Sequence, residues 1–268
     1  MNNLHRELAP ISDEAWAEIE AETARTLRRY LAGRRVADVH GPGGPALACV
    51  GTGHLRDIAA PATGVRARQR EVLPLVELRV PFTLDREQID DVLRGSEDSD
   101  WQPAKDAARR IAFAEDQAIF AGYDAAGIGG IVPGASNPAL SLPDDVADYP
   151  MAFASAVGAL RAAGVDGPYS AVLSAELYTL LSEASDHGYP VIEHLHKVLN
   201  GELIWAPAIT GAVVLTARGG DFSLHLGQDL SIGYLSHSET EVVLYLQETM
   251  TFQLLTAEAA VSLTVPGS

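Results

Sequence analysis

The chain has 268 residues, 47% of them hydrophobic, and a formal net charge of −17 from 36 acidic and 19 basic side chains. That length buries a sizeable core and sits near the size at which one core divides into lobes, while the acidic balance argues against unassisted binding of nucleic acid, whose affinity comes from Lys and Arg displacing counterions. No run is long and apolar enough to span a bilayer, and Asp13, Glu14, Glu18, Glu20 and Glu22 stand where a secretory leader needs an apolar stretch, so a cytoplasmic protein is expected.

From the N-terminus, Ser12 is a fitting N-cap, and Trp16, Ile19, Thr23, Leu27, Tyr30 and Leu31 recur at helical spacing. Arg25, Arg28 and Arg29 suit the negative end of the helix dipole and Gly33 stops the segment, which predicts an amphipathic helix over 13–32. Residues 41–61 are rich in Gly and Pro, and the single cysteine among them, Cys49, reads as a buried thiol. Next, Arg66, Arg68 and Arg70 alternate along an extended segment, a basic stripe whose plainer reading is a solvated strand face. Pro103 fits the first turn of a second helix running to about Gly122, with a stripe of small residues (Ala104, Ala107, Ala108, Ile111, Ala112, Ala118, Ile119) that lets it lie close against a sheet or helix.

Gly, Pro, Asn and Asp dominate 127–150 and mark a boundary. Beyond it, helical patterns near 151–163, 174–185 and 190–199 alternate with apolar runs at 169–173, 203–206 and 212–216, an α/β second lobe. From Phe222 onward the chain is β-rich, and 242–246, 251–255 and 260–265 read as antiparallel strands returning to the first lobe.

No catalytic set emerges. His194 and His196 lie two apart on a helical pattern and diverge, so a zinc site beside Glu193 is not expected. The serine-elbow pattern Gly-x-Ser-x-Gly does not occur, and Ser231 sits between Leu230 and Ile232 as a strand residue. The glycine-rich stretch Gly127 to Gly134 lacks the Lys-Ser/Thr of a phosphate loop. The carboxylate pairs Asp90-Asp91 and Asp144-Asp145 fall in polar surroundings, and Arg218-Gly219-Gly220-Asp221 reads as a tight turn. Neither catalysis nor a cofactor is expected.

A set of blocks in fixed order nevertheless carries a resemblance: Leu4-x-Arg6-x-Leu8-Ala9-Pro10-Ile11, Gly33-Arg34-Arg35-Val36, Glu77-Leu78-Arg79-x-Pro81-Phe82, Ala114-Glu115-Asp116, Gly167-Pro168-Tyr169, Trp205-Ala206-Pro207-Ala208-Ile209 and Gly227 to Tyr234. The sequence resembles the encapsulin nanocompartment shell proteins, the linocin-like first family. The resemblance implies an α+β fold of the tailed-phage major capsid type, with a discontinuous peripheral domain (1–48, 77–135, 218–268), an extended arm (49–76) and an axial domain (136–217). It implies about sixty copies in the smallest icosahedral shell. It further implies a cargo enzyme, a dye-decolourising peroxidase or a ferritin-like protein, held by a C-terminal targeting peptide. Carried over by position, the cargo-binding residues are Leu27, Tyr30, Leu31, Arg34, Asp38 and Ile232; His187, Gly188 and Tyr189 line a pore for small molecules; Arg66, Arg68 and Arg70 make the intersubunit arm contact. The rival readings are a prophage capsid protein, which the acidic composition disfavours, and a secreted bacteriocin or hydrolase.

Overall fold

The computed structural model describes residues 3–186 and 188–266. The first lobe opens with α1 (Asp13–Tyr30), whose N-terminus is capped by Ser12 Oγ accepting from Ala15 N–H, and continues through β1 (Asp38–His40). A hairpin of β2 (Cys49–Ile58) and β3 (Ala67–Pro74) follows, then β4 (Val76–Asp85), α2 (Arg86–Leu93), α3 (Gln102–Phe120) and the single turn α4 (Ile131–Gly134). The second lobe comprises β5 (Leu140–Ser141), α5 (Tyr149–Ala162), β6 (Tyr169–Leu173) and α6 (Ala175–Glu183). Its remaining elements are the small hairpin β7 (Ser185–Asp186) and β8 (Tyr189–Pro190), then α7 (Val191–Leu199), β9 (Leu203–Trp205) and β10 (Ala212–Thr216). The chain then forms β11 (Phe222–Leu226), β12 (Ser231–His237), β13 (Glu241–Leu254) and β14 (Ala260–Thr264).

Two five-stranded sheets organise the lobes. In the first, β13 is the axis: it pairs antiparallel with β4, β11 and β12, and β1 adds in parallel to β11. The small-residue stripe of α3 is fully buried at Ala104, Ala107, Ala108, Ile111 and Ala112, which brings this helix close to the sheet and to α1. The second sheet has the order β5-β14-β10-β6-β9, with Phe153 and Leu160 of α5 and Leu195 and Leu199 of α7 in its core. Two glycines with positive φ, Gly219 and Gly220, make the expected turn between β10 and β11.

Three expectations are corrected. The strands expected at 242–246 and 251–255 are one, β13, because Glu248 and Thr249, which look like a polar break, continue the alternation. The strand expected to return to the first lobe at 260–265 instead lies between β5 and β10 in the second sheet; Val261 and Leu263 there are buried, as an interior strand requires. Cys49 is exposed rather than buried, since it opens a two-stranded hairpin whose β2 strand is mostly exposed.

Candidate functional site

Helical spacing puts Thr23 and Leu27 on one face of α1, and the alternation of the strand turns Leu230 and Ile232 toward them. Between the two elements runs a groove of about 280 Å³, walled by Leu4, Leu27, Leu230, Ile232 and Leu246, with Thr23, Arg6 and Glu20 as polar lining. Thr23 Oγ1 is buried beside it without a hydrogen-bond partner among the described residues, a costly state for a hydroxyl. The N-terminal segment is tied down beside it: Tyr234 N–H donates to Leu4 C=O at 2.8 Å, Arg6 pairs with Glu20 at 2.5 Å, and its guanidinium lies 4.1 Å from the centre of the Trp16 ring.

Of the residues singled out from sequence, Leu27 and Ile232 meet in this groove. Leu31 packs against the same core, and Tyr30 packs on Phe113 and Trp205 at ring-centre distances of 5.7 and 5.3 Å. Arg34 and Asp38 are not among the groove's lining residues. Asp38 Oδ2 accepts from Gly220 N–H at 2.6 Å, bracing the turn before β11.

Arg34 instead anchors an internal ion network that sequence reasoning missed. Its Nε and one terminal nitrogen fork onto Glu115 at 2.6–3.0 Å, that nitrogen also reaches Glu248 at 3.1 Å, and the other terminal nitrogen reaches Asp229 at 2.8 Å. Burial opposes the guanidinium's charge, but the hydrogen bonds and attraction of Glu115, with Glu248 and Asp229, outweigh it and hold its pKa above the ordinary value. Glu248 is driven the other way: burial first, then repulsion from Glu115, raises its carboxyl well above the usual range. Its Oε1 has no hydrogen-bond partner among the described residues, and a proton on the carboxyl turns a repulsive pair into a hydrogen bond with Glu115. Beside the network, Asp116 accepts from Gly33 N–H at 2.8 Å and Ala32 N–H at 3.0 Å; burial raises its pKa to about 7 against the pull of these two bonds. A Cβ on Gly33 would sit 2.5 Å from Ile119 Cδ1, so glycine is what lets the end of α1 approach α3.

On the arm, Arg66 pairs with Asp57 at 3.1 Å, while Arg68 and Arg70 on β3 lie opposite Asp57 and Leu55 and are exposed, along with Leu55, Ile58, Val65 and Val72. Around the β7–β8 hairpin of the second lobe, Gly188 has a φ of 82°, and exposed Tyr189 packs on His194 with Lys197 Nζ 4.8 Å from its ring centre. His187 lies outside the described residues.

A hairpin arm, a sheet crossed by a long helix and an α/β second lobe are the parts of a fold of the phage-capsid type. Solved structures bear this out: the virus-like particle from Pyrococcus furiosus is similar with a TM-score of 0.64 at 17% identity, covering 93% of this chain and 99% of that one. The capsid of Myoviridae phage XM1 is similar with a TM-score of 0.55 at 10% identity, covering 87% and 90%. The family model Linocin_M18, described as "Encapsulating protein for peroxidase", matches residues 1–251. The chain is 60% identical over 263 residues to the type 1 encapsulin shell protein of Mycobacterium tuberculosis, covering 98% of this chain and 99% of the relative. It is 47% identical over 270 residues to that of Rhodospirillum rubrum, covering 98% and 96%. The chain belongs to the encapsulin shell protein family.

Proposed function

We propose that about sixty or more copies of the chain close into an icosahedral cytoplasmic compartment, whose inner wall captures a cargo enzyme, a peroxidase of the dye-decolourising type or a ferritin-like protein, by an apolar C-terminal peptide laid in the groove between α1 and β12. The observation that carries the docking assignment is the groove itself, an apolar wall of Leu4, Leu27, Leu230, Ile232 and Leu246 edged by the polar side chains of Arg6 and Glu20: Leu or Ile side chains of the peptide can bury against Leu27 and Ile232 while its polar groups stay at the edge. The test is co-expression with a cargo carrying the targeting peptide. Ala24→Glu, at a half-buried groove position, is expected to leave assembly intact and cut loading roughly tenfold or more, since a desolvated unpaired charge costs more than the ~1.4 kcal/mol that tenfold represents. Normal loading of Ala24→Glu shells moves the docking site elsewhere.

The arm is read as lying on a neighbouring subunit. A two-stranded hairpin is marginal by itself, and this one exposes both apolar side chains and Arg66, Arg68 and Arg70. Changing the three arginines to Glu is expected to shift the population from shells to dissociated subunits in size-exclusion chromatography; shells of wild-type size and yield reject the arm contact. The loop of His187, Gly188 and Tyr189 is the proposed lining of an opening for small molecules.

A further inference from the structure

The net charge of −17 conceals a local reversal. α1 and α3 lie side by side and parallel, joined by Trp101 Nε1 donating to Glu18 at one level and by the Tyr30–Phe113 contact further along. Between them is a cleft of about 270 Å³ that carries Arg25 and Arg29 on one wall and Lys105 and Arg109 on the other, against the carboxylates of Glu22 and Asp106.

Both cation pairs are spaced by four residues, which sets like charges next to each other on a helix surface and destabilises it. Lys105 adds to this by standing in the first turn of α3, at the positive end of the helix dipole. The two carboxylates are already engaged: Glu22 pairs with Arg25 at 2.7 Å, and Asp106 accepts from Gln102 Nε2 at 2.9 Å. Arg29 has aromatic contacts, with the Trp205 ring centre 5.4 Å away, and among the described residues the side chains of Lys105 and Arg109 have no ion-pair or hydrogen-bond partner. Four cations thus share one cleft of an acidic protein with two carboxylates, and among the described residues the side chains of three of them, Arg29, Lys105 and Arg109, have no carboxylate partner.

We propose that the cleft between α1 and α3 binds a small anion bearing two or more phosphoryl groups, gripped by the guanidinium forks of Arg29 and Arg109 and by Lys105 Nζ. Guanidinium geometry matches phosphate oxygens two at a time, and Lys adds a compact point charge. Cations on both walls select a ligand with phosphoryl groups at two positions, and the volume admits a short phosphate chain rather than a folded partner. The chain's source is either inorganic polyphosphate or the phosphates of a nucleotide.

Assembled shells are titrated calorimetrically with sodium tripolyphosphate, with ATP and with a polyglutamate peptide, at matched ionic strength. Saturable tripolyphosphate binding is expected, at least about tenfold weaker in the Lys105→Glu, Arg109→Glu double variant because two charge-assisted contacts are reversed, and unchanged in Arg94→Glu at the C-cap of α2. If the double variant fails to form shells, Lys105→Gln with Arg109→Gln carries the same expectation. ATP binding equal to tripolyphosphate assigns the phosphate chain alone, and tighter ATP binding assigns a nucleotide. No saturable binding, equal weakening in Arg94→Glu, or tighter binding of polyglutamate overturns the proposal.

Discussion

Shells carrying Arg34→Ala are expected to be lost at the level of folding, before any question of cargo arises. Among the described residues the guanidinium is the one positive group paired with Glu115, Glu248 and Asp229, in the contacts that join the end of α1 to α3, the start of β12 and β13. Glu115 and Glu248 are fully buried, so truncating Arg34 strands carboxyl groups with neither water nor a counter-charge. Breaking a buried pair by removing one partner costs about 3–5 kcal/mol, a large share of the roughly 5–15 kcal/mol that holds a domain folded. Soluble yield and thermal unfolding of the assembled particle measure the effect. Arg34→Lys is expected to fall between, since an ammonium keeps the charge but cannot fork onto Glu115 while reaching Asp229. If Arg34→Ala shells assemble with a wild-type melting temperature and only fail to load, Arg34 acts in docking and the internal role is wrong.

The contrast between Leu27 and Arg34 shows what the sequence could reveal. Leu27 belongs to a helical period and Ile232 to a strand period, and each period fixes which side of its element meets the core; their meeting in one groove follows from local pattern plus topology. Arg34 sits in a short turn after α1 with no period to orient it, and its partners are 81, 195 and 214 residues away in the chain. A signal was nevertheless present. On β13 the inward positions run Val242, Leu244, Leu246, Glu248, Met250 and Phe252, so a carboxylate interrupts an apolar row. On α3 the buried stripe Ala104, Ala108, Ile111 meets Glu115 at the next helical position. Two acidic residues at core phase demand a buried cation, and that rule points inward where resemblance alone pointed Arg34 at a ligand. The misplaced last strand has a different cause: Ala260 to Thr264 is plainly a strand, but which sheet receives it depends on β5 and β10 leaving a gap, which no local pattern encodes.

Glu248→Gln is expected to stabilise the protein, and increasingly so toward alkaline pH. The folded-state carboxyl of Glu248 lies well above its ordinary value of 4.5, chiefly from burial and then from Glu115, so above 4.5 the native chain holds a proton that the unfolded chain has released. Stability then falls with rising pH: the contribution of Glu248 is fully present below pH 4.5 and is lost as pH climbs toward the raised folded value. A glutamine has nearly the same shape, still offers an oxygen to Arg34, and replaces the shared proton with an amide N–H directed at Glu115, so no proton needs to be retained. Melting temperatures of wild-type and Glu248→Gln particles should converge in mild acid and separate progressively above it, the variant being higher. Asp116, whose value is pushed up to about 7 mainly by burial, remains in both proteins and leaves each a shared decline that levels off above neutral pH. Parallel melting curves across the whole range would mean that Glu248 is ionised in the folded protein, with Arg34 carrying two buried negative charges at once.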